Sequence, residues 1–377
     1  MRVALFASSF HPHVGGVEEV VRQLAHEQRR QGGDPLILTM RWPKSLPRAE
    51  EYEGLPVIRH VFRVPQSSWR HLPGWLLFRQ GTLTQVCANV RSHRCEMLHV
   101  HCVSGNAYYA LQVKRRLGLP LVVTLHGELT MDASHIFERS AFFRQLLRRV
   151  LTEADLITAV SRSTLADAEA FLGRTLADRA SVVYNGVSLE GMAEAPVYNH
   201  PRPYILAIGR LVPQKGFDVL LRSFAACASA CDLLIAGDGP ERQTLAELAV
   251  QLGIEESVRF LGQVDRRLAR SLYKSSSFVV LPSVSDEGLP MVTLEAAAAG
   301  KALVASRTGG VPEAVVDGVT GILVPRGDVV ALSNAMARLT DDTALRGRLG
   351  AAAAERAKDF SWPAIAAQYE SLYASLL

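Results

Sequence analysis

Short apolar segments alternate with longer amphipathic or alanine-rich segments along the whole chain. Each apolar segment ends at a polar or glycine-containing turn, which is typical of a buried parallel strand. The longer segments carry apolar residues at helical spacing, as at Val17, Val20, Val21 and Leu24. Strands that alternate with helices predict an α/β fold built on parallel sheets. Strands are predicted at residues 3–6, 36–39, 57–61, 97–101, 121–125, 156–160, 204–208, 233–236, 258–261, 278–281, 302–306 and 321–324, with a further short strand from residue 182.

A polar segment near the middle of the chain interrupts this pattern. Residues 188–203 are rich in proline and polar side chains, and a new apolar strand begins directly after them. The length of 377 residues also favours more than one domain. We therefore predict a first domain over residues 1–190, a linker over residues 191–203 and a second domain over residues 204–360.

Composition narrows the class of protein. Apolar residues make up 48% of the chain, which is ordinary for a globular protein. The formal net charge of +4 gives no sign of nucleic-acid binding. No apolar run reaches the roughly 18–20 residues that a membrane span needs, and the N-terminal run is too short for a signal peptide. The five cysteines lack zinc spacing and fit reduced thiols, so we expect a cytoplasmic protein.

The polar loop 283–288 carries the clearest candidate chemistry. It follows an apolar strand and precedes a helix that is predicted to begin at Pro290 and to end before Gly300. Ligands bind at the carboxyl ends of parallel strands, and the start of a helix favours phosphate. Glu287 in the loop and Glu295 in the helix are able to accept hydrogen bonds from sugar hydroxyls. The alternative is a solvated loop acid and a helix acid that caps a neighbour.

Two further loops have the composition of phosphate-binding sites. Arg210 and Lys215 lie in a glycine-bearing loop after a strand, and together they form a good diphosphate clamp. Gly15 and Gly16 follow the first strand and precede a helix, which is a phosphate-cradle arrangement. Gly237 lies after another strand and allows a ligand to approach the backbone closely. Taken alone, each of the first two loops also fits an ordinary turn.

One histidine lies where active sites form in such sheets. His126 follows the strongly apolar strand 121–125, at its carboxyl end. A single histidine in this position is more often structural than functional. His99 and His101 alternate along a different strand with no further ligands downstream, so they do not predict a metal site.

These motifs together resemble those of a known family. The sequence E-G-L-P-M-V-T-L-E resembles the Glu-x7-Glu signature of retaining glycosyltransferases of family 4, which have the GT-B fold. The segments T-L-H-G and G-R-L-V-P-Q-K-G match two other motifs of that family. The resemblance covers nearly the whole chain and is densest between residues 208 and 324. It is specific to the fold and the reaction but not to a substrate.

The resemblance implies the architecture and the site. It implies two Rossmann-like domains that face each other across a cleft, with residues 361–377 returning as a helix to the first domain. The implied catalytic residues are His126, Glu287, Arg210 and Lys215. The implied donor-binding residues are Gly15, Gly16, Gly209, Gly237, Val264, Asp286, Gly288, Leu289 and Glu295. No metal site is implied.

The implied function is transfer of a sugar, with retention of configuration, from a nucleoside-diphosphate sugar to a hydroxyl group. UDP is the expected nucleotide because it is the commonest among relatives, and no cofactor beyond the sugar donor is expected. The acceptor is a glycan, a lipid-linked molecule or a small molecule, and not a nucleic acid. Two alternatives remain open: a nucleotide-sugar epimerase or hydrolase of the same fold, and a non-catalytic nucleotide-sugar-binding subunit.

The stretch Trp69–Arg79 has an unusual composition. Arginines alternate there with tryptophans and other apolar residues. This pattern suits peripheral contact with the inner face of a membrane, or an acceptor site that stacks on sugars. The third interpretation is a loop and helix that pack against the core. The sequence indicates no oligomeric state.

Overall fold

The structure, a computed structural model, describes residues 1–13, 15–65, 72–129, 136–227 and 230–377. It contains two compact units. The first unit comprises Met1–Tyr184 and Trp362–Leu377, and the second comprises Asn185–Ser361. Each unit has its own sheet and its own apolar core, so the predicted α/β class is confirmed for both.

The first unit is built on an eight-stranded sheet. Its strands are β1 (Val3–Ala7), β2 (Leu36–Met40), β3 (Ala49–Tyr52), β4 (Leu55–His60), β5 (Met97–His101), β6 (Leu121–Leu125), β7 (Leu156–Ala159) and β8 (Ala180–Val182). They are arranged in the order β3-β4-β2-β1-β5-β6-β7-β8. All residues of β1, β5, β6 and β7 are buried, as expected for parallel strands covered on both faces.

Helices follow most of these strands. They are α1 (Gly16–Arg30), α2 (Leu72–Ser92), α3 (Gly105–Leu117), α4 (Ile136–Arg139), α5 (Ala141–Glu153) and α6 (Arg162–Leu172). Ser161 caps α6, because its hydroxyl accepts a hydrogen bond from the backbone N–H of Thr164 at 3.1 Å.

The sequence prediction missed β3. This strand has the sequence AEEY, leaves its residues exposed or half-buried, and pairs antiparallel with β4. It is an edge strand rich in charged side chains, and such strands lack the apolar periodicity that reveals a buried strand.

The second unit is built on a six-stranded parallel sheet. Its strands are β9 (Tyr204–Ile208), β10 (Asp232–Ala236), β11 (Val258–Gly262), β12 (Phe278–Leu281), β13 (Leu303–Ser306) and β14 (Gly321–Val324). They are arranged in the order β11-β10-β9-β12-β13-β14. Its helices are α7 (Leu189–Ala193), α8 (Phe217–Ala226), α9 (Arg242–Gln251), α10 (Arg266–Ser275), α11 (Met291–Ala298), α12 (Val311–Ala314), α13 (Val329–Asp341) and α14 (Thr343–Ala357).

The boundary between the units differs from the one we placed at residue 190. The second unit begins at Asn185, and α7 occupies part of the segment between the predicted domains. The hydroxyl of Ser188 accepts a hydrogen bond from the backbone N–H of Gly191 at 3.2 Å and so caps α7. This helix is too short to show a helical period in the sequence.

The last helix, α15 (Trp362–Ala374), belongs to the first unit, as the fold class implied. Its Tyr373 hydroxyl lies 2.6 Å from Nδ1 of His99 on β5. Its Tyr369 hydroxyl lies 3.3 Å from Oγ1 of Thr124 on β6. Buried hydrogen bonds therefore attach the end of the chain to the centre of the first sheet. Among the helices described, none is both long enough and apolar enough to cross a bilayer.

Candidate active site

Each sheet reverses its strand order at its first strand. In the first unit β2 and β5 flank β1, and in the second unit β10 and β12 flank β9. The carboxyl ends of parallel strands at such a reversal form a crevice in which ligands bind. The loops after β1, β5, β9 and β12 are therefore candidate site loops. The predicted residues Gly15, Arg210, Lys215 and Glu287 lie in three of them.

In the second unit, the loops after β9 and β12 are fixed to each other through the backbone. The carbonyl of Gln214 accepts hydrogen bonds from the backbone N–H groups of Val284 and Ser285, at 3.0 Å and 3.3 Å. Gly216 has a φ of +64°, and a Cβ at this position would lie 2.2 Å from the carbonyl oxygen of Pro282. Only glycine permits this approach, so the two loops form one rigid pair.

Within this pair, Lys215 and Glu287 form an ion pair. Nζ of Lys215 lies 2.5 Å from Oε1 of Glu287, and the Ser283 hydroxyl donates to the same oxygen at 2.5 Å. The Glu287 side chain is only 4% exposed, and its Oε2 is buried without a hydrogen-bond partner in the described structure. The site thus holds a buried carboxylate with one oxygen still able to accept a hydrogen bond from a ligand.

The loop between β13 and α12 also contacts Asp286 and Glu287 through its backbone N–H groups. The backbone N–H of Gly310 donates to the Glu287 carbonyl at 2.8 Å, and the N–H of Gly309 donates to Oδ1 of Asp286 at 3.0 Å. A Cβ on Gly309 would lie 2.1 Å from the Glu287 carbonyl oxygen. The Asp286 side chain also lies 3.6 Å from Arg326. Asp286 therefore positions the loop as well as facing solvent.

The helix after the loop begins one residue later than predicted. Pro290 is the N-cap and Met291 is the first helical residue. The preceding Gly288 and Leu289 are buried, and the Leu289 carbonyl accepts a hydrogen bond from Nδ2 of Asn185 at 2.9 Å. The first N–H groups of α11 lack partners within the helix and carry its positive dipole end, which favours a phosphate group.

Glu295 lies further along α11, beside Tyr273 of α10. Burial and the nearby Glu295 carboxylate raise the pKa of Tyr273 well above its ordinary value. Tyr273 was not among the predicted site residues. Its buried phenol lies beside the Glu295 carboxylate.

The predicted donor-binding glycines lie at neighbouring strand ends. Gly237 has a φ of +131°, and a Cβ there would lie 1.9 Å from the carbonyl oxygen of Gly209. The N–H of Gly237 donates to the carbonyl of Gly262 at 2.8 Å. Val264 is half-buried in the turn after β11. The ends of β9, β10 and β11 are therefore packed backbone to backbone beside the candidate phosphate loop.

In the first unit, the loop after β1 leads into α1. Gly15 is the N-cap of α1 and Gly16 is its first residue, and both are exposed. A Cβ on Gly15 would lie 2.4 Å from the Glu18 carboxylate. The predicted glycine loop thus lies at the start of a helix, as its sequence indicated.

His126 lies directly after β6 and is held by a carboxylate. Oε2 of Glu128 accepts hydrogen bonds from the backbone N–H groups of His126 and Gly127, at 2.9 Å and 3.2 Å. Oε1 of Glu128 accepts a third from the N–H of Val103, after β5, at 3.0 Å. Glu128 therefore joins the loops after β5 and β6 and fixes the backbone that carries His126.

Burial keeps the imidazoles of this region neutral. It lowers the pKa of His126 to about 3. Burial, with a smaller contribution from His126, also lowers the pKa of His99 to about 3. Burial holds the pKa of His101 well below its ordinary value, with smaller contributions from His99 and His126. His126 is therefore uncharged near neutral pH.

The structure joins some predicted residues and separates others. Lys215 and Glu287 are in contact, whereas Arg210 is exposed in the same loop. Of the predicted Trp69–Arg79 stretch, residues 69–71 lie outside the described residues. In the ranges that the structure describes, no three His, Cys, Asp or Glu side chains are placed to share a metal ion.

Sequence reasoning did not find three supporting residues: Ser283, Gln214 and Glu128. Ser283 and Glu128 act through side-chain contacts that depend on loop geometry, and Gln214 acts through its backbone carbonyl. Only Glu128 had a signal, since it follows His126-Gly127 directly.

Comparison with known proteins identifies the family. The family model described as "Glycosyltransferase Family 4" matches residues 14–190, and the model described as "Glycosyl transferases group 1" matches residues 193–356. A D-inositol 3-phosphate glycosyltransferase of Salinispora tropica is 30% identical over 384 residues, which cover 92% of this chain and 78% of that protein. The chain belongs to glycosyltransferase family 4.

Solved structures show the fold of this family 4 glycosyltransferase. Sucrose-phosphate synthase from Thermosynechococcus elongatus is 24% identical, with a TM-score of 0.83 over 100% of this chain and 98% of that one. HepE of Anabaena in complex with UDP and glucose is 21% identical, with a TM-score of 0.81 over 100% of both chains. Both similarities support the GT-B fold.

The buried ion pair between Lys215 and Glu287 should contribute to the stability of this glycosyltransferase. Lys215→Ala leaves the buried Glu287 carboxylate without its cation and is expected to lower the free energy of unfolding by about 3 kcal/mol. The double variant Lys215→Met with Glu287→Gln removes both charges and should recover most of that loss. Arg210→Ala removes an exposed cation from the same loop and should change stability by less than about 0.5 kcal/mol. Urea unfolding of the three variants measures these differences, and equal losses for Lys215→Ala and Arg210→Ala would contradict the assignment.

The buried histidines predict loss of stability in acid. Their pKa values are lower in the folded chain than in the unfolded one, so the unfolded state binds protons first as the pH falls below about 6.5. The loss is expected to reach roughly 1.4 kcal/mol per pH unit for each such histidine, and to continue down to the folded pKa of about 3 for His99 and His126. Urea unfolding at pH 7.5 and 5.5 tests this. His99→Gln should weaken the pH dependence, whereas His13→Gln, at an exposed position, should leave it unchanged.

Proposed function

We propose that this family 4 glycosyltransferase transfers a sugar from a nucleoside-diphosphate sugar, with UDP as the nucleotide, to a hydroxyl acceptor. The observation that carries the proposal is the paired Lys215 and Glu287 at the strand-order reversal of the second sheet. One group has the chemistry for a diphosphate and the other for sugar hydroxyls. HepE, which shares the fold, forms complexes with UDP and glucose and with UDP-glucose, which supports UDP as the first donor to test.

Binding of the donor is proposed to exchange partners at this pair. The diphosphate competes with Glu287 for the Lys215 ammonium, because a doubly charged group attracts the cation more strongly than one carboxylate. Glu287 then accepts hydrogen bonds from sugar hydroxyls through both oxygens. Ser283 continues to hold Oε1, so the carboxylate keeps its position while its cation moves.

Cations and backbone dipoles are proposed to stabilise the leaving group. Arg210, Lys215 and the N–H groups near Gly288 and Leu289 favour the negative charge that develops on the β-phosphate. Glu295 is proposed to hold the ribose, and the strand ends near Gly237 and Val264 are proposed to contact the nucleotide. These groups supply positive charge without a metal ion, so we propose a metal-independent reaction with no further cofactor.

Retention of configuration is proposed to arise by front-face displacement. The leaving phosphate takes the proton of the acceptor hydroxyl as the new glycosidic bond forms on the same face. His126, which is neutral near pH 7 because burial lowers its pKa to about 3, is proposed to bind the donor sugar and not to remove the proton. Gly15 and Gly16 are proposed to approach the diphosphate at the start of α1. Trapping of a covalent glycosyl-enzyme by mass spectrometry would contradict this mechanism.

A donor panel tests the proposed function. UDP-, GDP-, ADP- and dTDP-sugars are incubated with the wild-type protein, and nucleotide release is measured. We expect slow release from a UDP-sugar and a loss of at least about 100-fold in Glu287→Gln, because a charged hydrogen bond to the sugar is removed near the reacting bond. Glu247→Gln, on the exposed face of α9, is the matched control and should retain full activity. If no donor releases its nucleotide, calorimetry with free UDP separates acceptor dependence from a protein that binds no nucleotide.

Peripheral contact with the inner face of the membrane, from a cytoplasmic location, is a second proposal. The first half of α2 exposes apolar side chains, with Leu77 73% and Phe78 49% exposed. The guanidinium of Arg63 lies 4.6 Å from the centre of the Phe78 ring, and that of Arg79 lies 4.6 Å from the Trp75 ring. Exposed apolar side chains beside arginines suit an anionic lipid surface.

Co-sedimentation with lipid vesicles tests this contact. Wild-type protein should bind vesicles that contain anionic lipid, and Leu77→Glu should reduce binding by roughly 10-fold or more, because it places a charge in the contact. Val250→Glu changes an apolar residue on α9 that is 60% exposed, and this variant should bind as the wild type does. Equal binding of all three proteins would exclude α2 as the contact.

A further inference from the structure

Three histidines of the first unit form a buried column. The rings of His99 and His101 are 4.1 Å apart between centroids, and those of His101 and His126 are 5.5 Å apart. His99 and His101 have no exposed surface, and His126 is 8% exposed. Only His126 has a role in the proposed function. Burial of the other two imidazoles costs free energy unless their ring nitrogens are hydrogen-bonded, so we asked which partners each nitrogen has.

The hydrogen bonds of His99 are complete. Tyr373 accepts from Nε2 of Gln28 at 3.5 Å, which leaves its hydroxyl proton for Nδ1 of His99 at 2.6 Å. Nε2 of His99 then donates to Oγ1 of Thr124 at 2.6 Å. His99 thus has a partner on each ring nitrogen, and its environment explains it as an anchor for α15.

His101 has a different environment. Its Nδ1 lies 3.2 Å from Nε2 of His126. Its Nε2 is buried and has no hydrogen-bond partner in the described structure. His101 therefore makes one side-chain hydrogen bond to a protein group, and that bond is to the histidine of the candidate site.

The unpartnered nitrogen decides the direction of this bond. Both rings are neutral, so each carries one proton. If His126 donated from Nε2, the proton of His101 would be on its own Nε2, and a buried N–H would have no acceptor. Buried N–H groups without partners are rarer in proteins than buried acceptors without partners. The favoured arrangement has His101 donating from Nδ1, which leaves the proton of His126 on Nδ1.

We propose that His101 is a positioning residue for the transfer reaction: its Nδ1–H bonds Nε2 of His126 and fixes His126 as the tautomer that presents an Nδ1–H donor to an oxygen of the donor sugar. This inference rests on the proposed function for the role of His126. It adds that His126 is a hydrogen-bond donor and not a proton acceptor. The burial that lowers the pKa of both rings supports it, since neither ring becomes doubly protonated near neutral pH.

The tautomer is measured directly by ¹⁵N NMR of the full-length protein labelled at histidine. Long-range ¹H–¹⁵N correlation spectra distinguish a protonated from an unprotonated ring nitrogen, and the His126→Gln variant assigns the His126 signals. We expect wild-type His126 to be protonated on Nδ1 and not on Nε2. The opposite pattern overturns the proposal, and this measurement needs neither a variant at His101 nor a substrate.

Two substitutions then test whether His101 sets the tautomer. His101→Asn places an amide nitrogen near the position of Nδ1 and should keep His126 protonated on Nδ1. His101→Leu keeps the bulk but removes the donor, and should give His126 a mixture of tautomers. Val100→Ala, between the two histidines on β5 and buried in the core, is the control for destabilised packing and should leave the tautomer unchanged. An unchanged tautomer in His101→Leu overturns the proposal.

Kinetics with the donor found by the panel provide the second readout. His101→Leu should lower kcat by roughly 10-fold with little change in KM, His101→Asn should recover most of that loss, and Val100→Ala should match the wild type. Failure of the proposed function would appear as no activity with any donor, while the NMR result would still decide the tautomer. An active enzyme with His126 protonated on Nε2 would overturn this inference alone.

Discussion

A charged carboxylate that is buried away from water needs a cation or hydrogen-bond donors to stabilise it. The candidate site of the second unit depends on the groups that stabilise Glu287 in this way. Its side chain is almost fully buried, and Lys215 and Ser283 both bond the same oxygen. A buried charge without a partner costs several kcal/mol. Lys215 compensates the charge of this carboxylate, and Ser283 holds its position. The same requirement makes the pair responsive to a ligand, because an anion that attracts Lys215 also changes the environment of Glu287.

Close backbone packing at the strand ends holds this pair in place. Gly216, Gly237 and Gly309 each lie where a Cβ would be within about 2 Å of a neighbouring carbonyl oxygen. Side chains are excluded from these positions, so the loops after β9, β10 and β12 and the 309–310 turn form one layer of backbone. A rigid layer of this kind suits a reaction in which a developing charge must meet dipoles that are already oriented.

The first unit uses hydrogen bonds for the same purpose. Glu128 fixes the backbone at His126, and the histidine column connects that residue to the interior of the sheet. The terminal helix is attached to the same column through Tyr373 and His99. Burial makes these imidazoles neutral, which turns them into directional donors and acceptors. Glu128 in the loop after β6 and His101 of β5 therefore contact His126 directly, and α15 bonds His99 in the same column.

The sequence by itself determined the fold class, the two-part organisation and most strands, because apolar periodicity and glycine-bounded loops are local signals. Its motifs indicated the family through their resemblance to those of family 4 glycosyltransferases. It failed at β3 and at α7, where a charged edge strand and a very short capped helix give no period. It also placed the candidate residues at strand ends without showing which of them touch. Only the tertiary structure decided which residues meet. It showed the pairing of Lys215 with Glu287, the exposure of Arg210, the hydrogen bonds of Glu128 to the backbone at His126, and the contact between His101 and His126. These contacts join residues from different loops and strands, and their geometry depends on backbone packing that no local pattern encodes.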